Sequence, residues 1–238
     1  MIAICNAEMG FKLYLQAALA ADGFAGSRKN GSELLDEFGA MPAELISQAF
    51  ALYEQGMVDA KIQQRCIVGA MGTLMNCSSL SDDDYQGLVT KVAQFSAKTV
   101  KKSEQCELVA QVAHLFYPVD SDLTYRNAQR ALECLQRALK LADACASSNP
   151  EEIFLFVDLL DHYLFFFDKK CPTIRDAYVT GLVALIKEHI GNLGGSMGGL
   201  SPVMSKAREQ FLQIVHIIKE KKANSETKEQ YSSINVDE

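Results

Sequence analysis

The sequence predicts an all-α protein built as a HEAT-like solenoid of α-α hairpins, and three observations carry that prediction. Apolar residues recur at spacings of three and four, and no stretch alternates convincingly between apolar and polar. Helix-starting residues recur at the heads of those stretches. The starts also repeat. One set falls near Pro42, Asp82 and Leu123, 40 and 41 residues apart, and the intervening set near Asp59, Glu104 and Pro150, 45 and 46 apart. Two helices in about 40–47 residues is the period of HEAT and armadillo hairpins, whereas a tetratricopeptide array repeats at about 34.

Taken in order, periodic stretches run over Glu44–Tyr53, Ile62–Met75 and Tyr85–Val100. Ser81 followed by Asp82, Asp83 and Asp84 marks the start of the third with a cap and carboxylates against the helix dipole. Glu104–Tyr117 follows and stops at Pro118. The clearest stripe is Asn127–Ala146, where Ala128, Ala131, Leu132, Leu135, Ala138, Leu139, Ala142 and Cys145 share one face. Asn149-Pro150-Glu151-Glu152 then supplies a cap, a proline at the first helical position and two carboxylates. In Ile153–Phe167 one face holds Ile153, Phe156, Val157, Leu160, Tyr163, Leu164 and Phe167, and a second holds Leu155, Leu159 and Phe166. A helix apolar on two sides fits stacked repeats, in which each helix meets both its partner and the next hairpin. Thr173 with Asp176 opens Ala177–Ile190, and Ser201-Pro202 opens the last helix. The domain reading is a solenoid over residues 1–218 with about nine helices. It is interrupted by a loop at 23–39, with a helical turn at Glu33–Phe38, and by a glycine-rich linker at 191–199. The polar tail 219–238 is expected to be disordered.

Composition narrows the function. Of the 238 residues 48% are hydrophobic and the net charge is −7. Such an acidic chain is a poor nucleic-acid binder, because neutralising phosphates requires clustered Lys and Arg. No apolar run approaches the ~18 residues that span a bilayer, and no basic, cleavable leader is visible, so a soluble intracellular protein is expected. The seven cysteines are odd in number and form no Cys-x-x-Cys pair, so neither zinc nor redox chemistry is signalled, and they read as small core hydrophobes. No phosphate loop, His-Glu-x-x-His or Gly-x-Ser-x-Gly occurs. His114 and His189 read as helix C-terminal cations or packed imidazoles. Asp158, Asp161 and His162 share a face that could hold a cation, although a solvated polar stripe explains them more simply. Gly69 and Gly72 read as points of close helix contact. No catalytic, cofactor-binding or metal-binding residue is assigned, no cofactor is expected, and the chain is not expected to be an enzyme.

The strings LYLQAALAAD (Leu13–Asp22), ISQAFALYE (Ile46–Glu54), AHLF (Ala113–Phe116), ALECLQRALKLADAC (Ala131–Cys145) and LFVDLLDHYLFFFDKK (Leu155–Lys170) follow one another in that order. Over roughly Phe11 to His189 the sequence resembles the C-terminal region of the large vacuolar-protein-sorting subunit of retromer. The resemblance implies an α-solenoid with no activity of its own. Its concave side would clasp the small retromer subunit, a protein of metallophosphoesterase fold, within an endosomal coat that retrieves transmembrane cargo. It also implies contact with a second copy of the large subunit, a cytoplasmic location on the cytosolic face of endosomes, and membrane recruitment only through partners. The Pro-Arg-Leu-Tyr-Leu stretch through which the family's N-terminal portion holds the arrestin-like subunit has no counterpart here. That site is therefore expected to lie outside this chain.

In such a solenoid the second helix of each hairpin lines the concave surface, which here means Asp59–Met75, Glu104–Tyr117 and Pro150–Asp168. Exposed aromatic anchors beside polar groups concentrate interface energy. On that basis the partner-binding residues are expected to be His114, Phe116, Tyr117, His162, Phe165 and Phe166, with Gln64 and Arg65 at the polar rim. The competing reading for each is packing between repeats. Two other functions stay open at this point: a helical-repeat adaptor of another trafficking pathway that binds peptides in its groove, and a helical enzyme with a cryptic site.

Overall fold

The computed structural model describes residues 7–27, 40–119, 124–193 and 201–236. Among these the elements are α1 (Ala7–Ser27), α2 (Met41–Gly56), α3 (Ala60–Asn76), α4 (Asp82–Ala97), α5 (Lys102–Phe116), α6 (Ala128–Ser148), a 3-10 turn (Pro150–Ile153), α7 (Phe154–Asp168), α8 (Asp176–Leu193), α9 (Pro202–Ala223) and the short α10 (Lys228–Tyr231), with no strand. The starts follow local chemistry. Asp59 Oδ1 accepts the Ile62 amide at 2.9 Å, Ser81 Oγ the Asp84 amide at 3.1 Å, Asn149 Oδ1 the Glu151 amide at 3.2 Å and Ser201 Oγ the Met204 amide at 3.3 Å. Just past the end of α7, Lys170 has a left-handed φ of 56°, and Cys171 N–H closes the turn onto the Phe166 carbonyl at 2.9 Å.

The chain forms two compact units, Met1–Ala131 and Leu132–Glu238. In the first, α1 packs on α2 and α3, α3 on α4 and α5, and α4 on α5. Direction follows from which ends meet. Glu8 pairs with Arg65, and Asp22 meets Ser78 and Ser79 just beyond the end of α3, so α1 and α3 run parallel in one layer. The other layer is tied through rings: Phe50 meets Phe95 edge-on at 5.4 Å between centroids, and Tyr53 lies 4.4 Å from Phe95.

The second unit repeats the scheme. Tyr163 stacks on Tyr178 and Phe156 on His189, so α7 and α8 are antiparallel. Gln210 bonds Asp158 and Lys221 bonds Asp168, so α9 runs parallel to α7. Antiparallel neighbours with parallel helices two apart are stacked α-α hairpins. Each unit therefore has the arrangement of the HEAT-like solenoid that the periodicity predicts, and no helix among the described residues is long and apolar enough to cross a membrane.

Several expectations need correction. The helix expected near Leu123 begins at Ala128, where Asn127 Oδ1 caps the Arg130 amide at 3.1 Å, and Leu123 itself lies outside the described residues. The 23–39 loop starts later than expected, because α1 continues to Ser27; its remainder, including Glu33–Phe38, lies outside the described residues. Likewise α8 runs past Gly191 to Leu193, and the rest of the 191–199 linker is outside them. Gly72 faces open space and Gly69 makes only ordinary contact. The tight glycine is Gly56, where a Cβ would lie 3.0 Å from Ala7 Cβ.

The largest correction concerns the tail. Residues 219–223 complete α9, and Tyr231, Ile234 and Val236 are buried, so 219–236 is folded and not disordered. The physical reason is long-range: three spaced apolar side chains are enough to dock a polar segment once α7 and α8 supply a surface.

Asp22 is the main polar lock of the first unit. Its carboxylate accepts the Ser78 and Ser79 amides at 3.0 and 2.8 Å and the Ser79 hydroxyl at 2.6 Å. Burial raises its pKa, but the serine bonds outweigh that and hold it below the ordinary 3.8. The folded value thus lies below the unfolded one. Its stabilisation is complete above about pH 4 and is lost as pH falls through the folded value. Asp22→Ala is expected to lower unfolding free energy by about 2 kcal/mol at neutral pH, and urea titrations should show that gap shrinking as pH falls below the ordinary carboxylate value. Two buried tyrosines give opposite signs. Tyr85 donates to the Leu115 carbonyl at 3.0 Å, whereas the buried Tyr163 hydroxyl has no partner among the described residues. Tyr85→Phe should cost about 1 kcal/mol and Tyr163→Phe should gain up to about 1 kcal/mol in the same assay.

Candidate functional site

The residues expected to contact a partner fall in both units and separate by burial. In the first unit, Arg65 is exposed on α3 and already paired: its Nη2 lies 3.1 and 3.2 Å from the two carboxylate oxygens of Glu8, which also holds Lys12 at 2.7 Å. The Lys12 and Arg65 bonds hold the Glu8 carboxyl below its usual range. Gln64 beside it is half-buried. At the end of α5, His114 and Tyr117 are half-buried, with the Tyr117 amide donating to the Ala113 carbonyl at 3.2 Å.

Phe116 behaves differently. It is 1% exposed, and the Arg130 guanidinium lies 4.6 Å from its ring centre, so it is a core residue and not an exposed anchor. Arg130 is in turn fixed by its bond to Thr90 Oγ1 at 3.3 Å.

In the second unit, His162 and Phe165 lie half-buried on one stripe of α7, with Asp158 and Lys169 along the same stripe. The Lys169 ammonium sits 5.9 Å from the Phe165 ring centre, and Asp158 accepts from Gln210 of α9 at 3.2 Å. Burial pushes the His162 imidazole below its ordinary 6.5, only partly opposed by Asp161, which keeps it neutral at pH 7. Phe166 is fully buried and meets Phe165 edge-on at 5.4 Å between centroids. The expectation of an exposed anchor fails there too, for the reason visible in its phase: it belongs with Leu155 and Leu159 on the stacking face.

Sequence reasoning missed a surface on α3. Val68 and Met75 are 46% and 48% exposed, and with Gly72 and Arg65 they form one stripe opposite the buried Cys66, Ile67, Ala70, Met71 and Leu74. Their three- and four-residue spacing was the available signal. Apolar side chains gathered on an exposed helix face and edged by charge suit protein contact.

Among the described residues no three His, Cys, Asp or Glu side chains come together to hold a metal ion. Burial pushes the Cys66 thiol up to about 11 and, with some help from Asp22, the Cys77 thiol up to about 12, so neither is a nucleophile at neutral pH. His189 is a packed imidazole, its ring stacked on Phe156 at 5.4 Å. Cys5 lies outside the described residues.

The two adjacent phenylalanines give a direct check of this division. Phe166→Ser should cost about 3–5 kcal/mol of stability by leaving a cavity, and Phe165→Ser under about 1.5 kcal/mol, as read by thermal and urea unfolding followed by circular dichroism.

Residues 1–189 match the family described as vacuolar protein sorting-associated protein 35, Vps35. The chain is 31% identical over 189 residues to that protein of Schizosaccharomyces pombe, across 78% of this chain and 21% of the relative. Against vacuolar protein sorting-associated protein 35A of Arabidopsis thaliana it is 33% identical over 186 residues, across 76% of this chain and 22% of the relative. Against protein 35B of the same plant it is 32% identical over 197 residues, across 79% and 23%. The chain thus spans less than a quarter of the length of these relatives. With its hairpin stacking and a match over most of its length, the chain belongs to the Vps35 family.

Proposed function

We propose that this chain is the C-terminal solenoid of a retromer large subunit, a non-enzymatic scaffold that clasps the small metallophosphoesterase-fold subunit. In that role it supports retrieval of transmembrane cargo from endosomes to the Golgi or plasma membrane, working on the cytosolic face of the endosome. A second copy of the large subunit would meet it through the same region, and the arrestin-like subunit would be held elsewhere.

The observation that carries this reading is the family match over residues 1–189, together with the ordered likeness to the C-terminal region from Leu13 to Lys170. The surfaces fit a binding role. On α3, Val68 and Met75 offer apolar area beside Arg65, and on α7 the half-buried His162 and Phe165 offer an aromatic anchor with polar company. His114, Tyr117 and Gln64 complete the proposed contact residues, while Phe116 and Phe166 support them from the core. The net charge of −7 opposes direct binding to anionic lipid, so membrane attachment would come through partners.

The test is size-exclusion chromatography with the small retromer subunit from the same source. Co-elution at micromolar concentration is expected, and separate elution at that concentration would remove the scaffold reading. Val68→Asp and Phe165→Ser should each weaken the complex by about tenfold or more, by calorimetry, with the helical signal unchanged. Unchanged affinity in both variants would move the contact to other faces.

A further inference from the structure

We draw no further inference here: the strongest candidate, the exposed apolar stripe of Met9, Leu13 and Phe24 along α1, is an unpartnered helix face, and nothing in the structure shows what covers it.

Discussion

The constraint on which the architecture depends is that the inner helices must be buried on more than one side. A helix that meets its antiparallel partner in one direction and its parallel neighbour in another cannot keep a single apolar stripe. In the second unit α7 meets that demand with Leu155, Phe156, Val157, Leu159, Leu160, Tyr163, Leu164, Phe166 and Phe167, all buried. In the first unit α5 does so with Cys106, Leu108, Val109, Ala110, Val112, Ala113, Leu115 and Phe116. The same demand explains the small residues among them. Alanine lets the backbones of a crowded helix approach where a second large side chain would overfill the layer.

Apolar burial sets which faces meet but says little about how far one helix slides along the next, and polar contacts at the helix ends supply that register. The two units use a similar device. Asp22 stands near the end of α1 and binds Ser78 and Ser79 beyond the end of its parallel neighbour α3, while Asp168 closes α7 and binds Lys221 near the end of its parallel neighbour α9. Asp168 sits in the last turn of α7, where a carboxylate opposes that helix's own dipole, so it does not stabilise the helix that carries it. Each is stabilised by donors from the neighbouring helix end. For Asp168, burial raises the carboxyl, but the Lys221 and Tyr231 bonds outweigh it and hold the group below its usual range.

What could be read from the sequence follows from the range over which each signal acts. Caps and periodicity are local, so Asp59, Ser81, Asn149 and Ser201 mark starts that the structure keeps, and the double stripe of α7 already implies stacking. The candidate site was legible only in part. Phe165 shares its phase with Asp158 and His162 and stays half-exposed, whereas Phe166 shares its phase with Leu155 and Leu159 and is buried; the helical wheel separates them once the stacking face is chosen. Phe116 yields to the same test, since it shares its phase with the buried Val109 and Val112. The tail was illegible because the residues that bury it are distant in sequence. Lys, Glu, Ser and Asn look like solvated chain until Tyr231 finds Asp168, 63 residues away.

The stacking constraint also limits where a partner can bind. When two sides of a helix are committed to its own fold, the free surface narrows to the remaining stripe and to the helix ends. On α3 that stripe carries Arg65, Val68, Gly72 and Met75. That stripe does not have the composition that solubility alone would select, since valine and methionine sit on its exposed side. Apolar residues are thus found on an exposed helix face, edged by an arginine already held in place by Glu8. Charges fixed in this way lose little side-chain freedom when a partner arrives, which favours a surface prepared for binding over one that must reorganise to bind.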